Sequence, residues 1–264
     1  MSKVRSSPTA VIRPLLKFGR GNAKLAPWVT TFSLPAGFAC PFASSCRSFA
    51  DPDTGRISDG PDLKVRCYKA SEEARYESSR RNSWHNFRLL RKCQTSDEMA
   101  QLILDSLLPG APVVRIHTGG DMFSLAYLQA WLTVAKERPR TLFYFYSKSL
   151  RFWVKHLDEI GDGHTPGLVE NLVPTASWGG RDDDLILEYG LRSALIVFSE
   201  EEAAELGLSL DFDDSFAMSH GDDFALLIHG TQPRGTVAAR AVATLRAQGI
   251  FGHGEKARLR LTTI

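Results

Sequence analysis

Cys40 and Cys46 frame the segment CPFASSC, and Cys67 follows in VRCYKA. Thiols grouped along one stretch of chain can close a disulfide, ligate a structural metal or hold a reactive metal cluster. Four cysteines among 264 residues are too few for a disulfide-stapled scaffold. The first residues, MSKVRSSPTAVIRPLLKFG, have neither a continuous apolar core nor a small-residue cleavage site. A cytoplasmic location is therefore expected, where thiols stay reduced. Three thiolates on one loop suit three irons of a 4Fe–4S cluster and leave the fourth iron open. Zinc is the alternative, with Cys93 or His85 as fourth ligand, although C-x5-C-x20-C lacks the close pairs of zinc ribbons. Inert buried thiols are the remaining reading. Cys93 ends a helical run and reads as a packed thiol.

Other residues with chemical capacity fall at the ends of apolar runs. HTGGD places His117 before a Gly119-Gly120 turn and the carboxylate of Asp121. Glycines there let backbone groups approach a ligand. Ser147 and Lys148 end one run, Ser177 another, and His229 precedes GTQPRG with Arg234. Lys148, His117 and His229 are the catalytic candidates; each has a plainer reading as a solvated or core residue. Arg80, Arg81, Trp84, His85 and Arg88 share a basic, aromatic helical stretch that could meet nucleic acid. Asp211, Asp213, Asp214, Asp222 and Asp223 lack calcium-loop spacing and read as a solvated loop.

Something must hold these groups in place. Apolar runs at 29–34, 113–117, 141–147, 171–177, 194–199 and 224–230 each lead into an amphipathic stretch. Residues 71–92 read as one helix and 96–108 as another, stopped by Pro109-Gly110. Continuous apolar strands alternating with helices predict a parallel sheet covered by helices. Right-handed crossovers leave an open doubly wound sheet or a full or partial barrel. In such folds the C-terminal strand ends form the ligand mouth, and here every one carries polar residues. No apolar run is long enough to span a membrane. The net charge of +2 does not itself imply nucleic acid, but residues 1–26 carry six basic side chains and no acid.

The order of strand, three-cysteine loop, helix and a second strand ending in Gly-Gly-acid resembles the radical S-adenosylmethionine superfamily. More specifically, CPFASSC, RCYKASEEARY, RRNSWHNFRLL, RIHTGGDMFSLAYLQAW, FYFYSKSL and ALLIHGTQPRG resemble a family of phage proteins known as gene product eighty-eight. The likeness spans residues 23 to 254. It implies a partial (β/α)6 TIM-like barrel, with Cys40, Cys46 and Cys67 as cluster ligands. It further implies S-adenosylmethionine held by Gly119, Gly120 and Asp121, with Tyr68 packed over its adenine. Two features depart from the superfamily pattern: its CxxxCxxC is stretched, and Asp121 stands for the usual Glu.

The expectation is thus an α/β protein with a basic arm at 1–26, one partial-barrel domain at 27–264 and a cluster loop at 35–70. It would be an iron–sulfur enzyme performing radical or redox chemistry in the host cytoplasm, with Ser147 and Ser177 completing the cofactor site. The alternative is a non-catalytic binding protein stapled by zinc or iron–sulfur, contacting nucleic acid through the arm and through Arg80, Arg81 and Arg88.

Overall fold

The structure, a computed structural model, describes residues 13–22, 24–160 and 169–250, the side chains of 159 and 160 excepted. Residues 1–12 of the expected arm lie outside that range. Its described part is not a free tail. Strand β1 (Gly19–Arg20) pairs antiparallel with β2 (Val29–Ser33), Leu16 is buried, and Asn86 bonds both the N–H and the C=O of Lys17 at 2.7 and 2.9 Å.

After β2 the chain forms a small hairpin, β3 (Ser48–Ala50) with β4 (Ile57–Asp59), then helices α1 (Tyr68–Arg75), α2 (Glu77–Leu90) and α3 (Ser96–Ser106). A strand–helix rhythm follows. It runs β5 (Val113–Gly119), α4 (Leu125–Glu137), β6 (Leu142–Ser147), α5 (Leu150–Ile160), β7 (Leu172–Ser177) and α6 (Asp184–Glu188). It closes with β8 (Ser193–Val197), α7 (Glu200–Glu205), β9 (Ser209–Leu210), β10 (Phe224–Leu227) and α8 (Val237–Ala247).

The eight-stranded sheet has the order β1-β2-β5-β6-β7-β8-β10-β9 and is parallel throughout except at β1. From β2 to β10 the strands are laid down almost in chain order, without the reversal that marks a doubly wound sheet. No pairing joins β2 to β10.

Both faces of the sheet are covered, because consecutive side chains point to opposite sides. Phe32, Val114, Ile116, Phe143 and Phe145 pack with Leu128 and Trp131 of α4 and with Trp153 and Leu157 of α5. The opposite set, Val29, Val113, Tyr144, Val173, Ala194 and Phe224, packs with Leu25 and Ala217. Nearer the C-terminal strand ends, that second face turns polar, with Arg115, Tyr146 and Ser177.

Residues 71–92 are two helices rather than one. Tyr76 is extended (φ −116°, ψ 106°), and the break lets Arg80 fold back onto the Glu73 carbonyl at 2.7 Å and the Pro52 carbonyl at 3.1 Å. A helix-end carbonyl is satisfied by a guanidinium instead of by another turn.

Candidate functional site

A cavity of about 1160 Å³ opens over the polar half of that second face. Arg115 of β5, Tyr146 of β6, Ser177 of β7, Ile196 of β8 and Leu226 of β10 project into it from five adjacent strands. The loops that follow the strands supply Cys40, Cys46, Cys67, Tyr68, Gly120, Asp121, Lys148 and His229.

The cysteine loop is positioned by the turn after β7. The N–H groups of Ser44 and Ser45 bond the Gly179 carbonyl at 3.2 and 3.0 Å, and that of Arg181 bonds the Phe42 carbonyl at 2.9 Å. Gly179 has a left-handed φ of +96°, and a Cβ there would stand 2.0 Å from Ser45 Oγ, so glycine suits this close approach. Cys40, Cys46 and Cys67 line the cavity together as free thiols. Burial pushes Cys40 well up, and Asp121, Cys67 and Cys46 add to it. Burial, then Cys46, pushes Cys67 up to about 12, against the pull of the Ala70 and Lys69 N–H groups at the start of α1. Both therefore stand as neutral thiols.

The expected metal chemistry is overturned. Among the described residues no group of three or more His, Cys, Asp or Glu side chains is placed to hold a metal ion. The thiols share a wall without forming a coordination set, so neither the 4Fe–4S cluster nor zinc has a site. Expected S-adenosylmethionine cleavage falls with the cluster that would supply its electron, and the iron–sulfur enzyme and metal-stapled readings fall too. His85, expected as a zinc ligand, has Nε2 2.8 Å from the Leu15 carbonyl, away from the cavity. Cys93 packs on the main core, with Sγ 3.7 Å from the Leu89 carbonyl.

The Gly-Gly-Asp turn is built for packing. A Cβ on Gly119 would lie 2.0 Å from Lys69 Cγ, and one on Gly120, whose φ is +85°, 2.5 Å from Leu34 Cβ. Asp121 accepts from the Ser147 hydroxyl (2.6 Å) and from the N–H groups of Lys148 (2.8 Å) and Met122 (2.7 Å). Burial raises its pKa, and those donors oppose the rise. Lys148 Nζ bonds Ser177 Oγ at 2.6 Å, the Ser177 carbonyl at 3.1 Å and the Trp178 carbonyl at 2.5 Å. With three acceptors around its Nζ, Lys148 clasps β6 to β7.

His117 lies in a register irregularity. Between the pairs Thr31–Arg115 and Ser33–Gly119, β5 uses two more residues than β2, and His117 adopts a left-handed φ of 67°. Bulges of this kind re-aim side chains, and a non-glycine residue there is strained. Its Nε2 is 3.1 Å from the Tyr127 hydroxyl. Burial, assisted by Arg115, pushes its pKa down to about 3. The His229 ring packs against Tyr68, tilted by 37° with 4.8 Å between centroids, and burial lowers its pKa to about 4. Tyr68 donates its hydroxyl to the Thr118 carbonyl. Both histidines are neutral at physiological pH.

Asp214 is the residue most misread from sequence. It is fully buried, with a left-handed φ of 63°, and pairs with both Lys24 and Arg115 while accepting from Tyr144 (2.9 Å) and Tyr146 (3.2 Å). Asp211 is buried as well, whereas Asp222 and Asp223 are exposed. The solvated-loop expectation holds only for that second pair. Lys24, Arg115, Tyr146 and Arg246 also went unnoticed as lining residues; a lone arginine in the apolar run VVRIH was the available signal.

The expected nucleic-acid face does not form. Arg80 is buried under Pro52, whereas Arg81, paired with Glu77 at 2.6 Å, and Arg88, over Trp84, line a small separate pocket, so the three arginines do not make one face. No described helix is long and apolar enough to cross a membrane.

Compared with known proteins, the chain matches a family described as Gene product 88 over residues 12–248, and it belongs to that family. The match brings no link to the radical S-adenosylmethionine superfamily. No curated protein matches the chain, and no solved structure does.

Proposed function

We propose that this member of the Gene product 88 family is a small-molecule binding protein, with its ligand in the cavity at the C-terminal strand ends. One observation carries the reading: five neighbouring strands aim side chains into a single cavity of about 1160 Å³, on the face opposite helices α4 and α5. Parallel α/β folds bind ligands at these strand ends, and cavities of this size accommodate whole organic molecules. The finer architecture in this reading is a partial barrel, supported by strands laid down in chain order with the large helices on one face. This reading assigns residues 27–264 to a single domain, with the described part of the basic segment before them contributing the edge strand β1. The four free thiols suit a reducing compartment, and the reading places the protein in the host cytoplasm.

The roles within the site follow from the contacts. Tyr68 and His229 offer ring faces; Ser177, held by Lys148, and Ser147, held by Asp121, fix the far wall. Gly119 and Gly120 allow the floor to close. His117, with its left-handed backbone, lines the cavity beside them. Val65, Ile196, Leu226, Val242 and Leu245 give the opposite wall an apolar character.

The test uses the neutral fluorescent probe N-phenyl-1-naphthylamine. It is expected to bind saturably with one site per chain, and Leu226→Trp, which projects an indole into the cavity, is expected to weaken binding. Ile196→Phe is a milder block should the first variant fold poorly. Absence of saturable binding, or binding unaffected by both blocks, overturns the reading.

A further inference from the structure

The charges around the cavity are unequal. Arg66 is matched by Asp59, and Glu72 by Lys69. Lys24 and Arg115 share the single carboxylate of Asp214, with Asp211 beyond it. Lys148 rests on two carbonyls and a hydroxyl, and Arg246 has no ion pair among the described residues. Asp121 is the lining acid left to face them, and its oxygens are already taken by Ser147, Lys148 N–H and Met122 N–H.

We propose that the cavity selects an organic oxyanion, a carboxylate or phosphate carried on a flat apolar body. This rests on the small-molecule reading above. Cations lacking a full complement of carboxylates, set in a cavity with apolar walls, act through a lower dielectric than water and favour a negative partner. The ring faces of Tyr68 and His229 and the apolar side chains of Leu226 and Val242 are what the body of such a ligand would cover.

Two dyes of nearly one shape separate charge from cavity. They are 8-anilinonaphthalene-1-sulfonate and its uncharged counterpart N-phenyl-1-naphthylamine, titrated at low salt. The anionic dye is expected to bind about tenfold more tightly, the equivalent of one partly buried charge interaction. Lys24→Gln and Arg246→Gln are each expected to weaken the anionic dye several-fold more than the neutral dye, whose saturable binding reports an intact fold. Phenyl phosphate displacing the dye where benzoate does not assigns the oxyanion as phosphate; the reverse assigns carboxylate. Equal affinities for the two dyes, insensitivity to both substitutions, or displacement by benzyl alcohol as good as by either anion overturns the oxyanion inference while the cavity reading stands. Failure of both dyes to saturate takes down the cavity reading itself.

Discussion

Replacing Asp214 with Asn removes one negative charge from beneath the cavity and little else. The side chains are nearly isosteric, and Asn tolerates the left-handed backbone that Asp214 adopts at φ 63°. Two routes give the cost. Burial alone would raise the Asp214 pKa, but Arg115, Lys24 and the Tyr144 hydroxyl overcome it and hold the carboxyl at about 2. An acid depressed in the folded state adds stability above its unfolded pKa and loses it as pH falls through the folded one. That gap is worth about 2 kcal/mol at neutral pH. Asn also strips Arg115 and Lys24 of the carboxylate they both pair with, leaving only Asp211 beyond it, and breaking a buried pair in this way costs about 3–5 kcal/mol. For a chain of this size the melting temperature should fall by roughly 10 °C. The assay is thermal and urea unfolding at pH 7, with the exposed Asp222→Asn as control, expected within about 0.5 kcal/mol of the parent. A loss below about 1 kcal/mol for Asp214→Asn would refute the idea that this carboxylate anchors the cavity floor.

Glu73 makes the opposite use of pH. Burial raises its pKa to about 7, so stability is greatest below about pH 4.5 and declines as pH rises towards 7, by about 3 kcal/mol in all. Glu73→Gln should remove that decline, as read from urea midpoints at pH 5 and pH 8. His117 and His229, lowered to about 3 and 4, run the other way: protonating them costs stability as pH falls below their ordinary value, and His117→Gln should flatten part of the acid limb. Gly119→Ala drives a Cβ into Lys69 and should cost at least about 2 kcal/mol, whereas Gly221→Ala, whose nearest neighbour is 4.0 Å away, should be neutral. Lys148→Met loses the clasp on Ser177 and Trp178; about 2 kcal/mol of destabilisation is expected in the same unfolding assay.

The sheet was legible because its strands are long apolar runs at even spacing, and each run found in the sequence lies in the sheet. The convergence of Cys40, Cys46 and Cys67 on one cavity was legible too, since all three lie between β2 and α1 or at its start. What those sulfurs do was not. Residue type and order cannot say whether thiols close into a coordination set, and here they do not. Asp214 escaped notice because its partner Arg115 lies 99 positions away and a run of aspartates looks solvated. The break at Tyr76 escaped because no proline or glycine marks it; the Arg80 contacts that stabilise it are set by the hairpin loop at Pro52. The glycines after β5 line the cavity and also make room for Lys69 and Leu34, a packing role set by residues distant in the chain.

The most direct test of a ligand site at the strand ends is amide chemical-shift mapping of the unaltered protein titrated with N-phenyl-1-naphthylamine. The shifts are expected to concentrate on Tyr68, Gly120, Ser177, Leu226 and Gly230 around the cavity. Shifts gathered instead on the α2 surface between Arg81 and Lys92, or spread evenly over the chain, would contradict it.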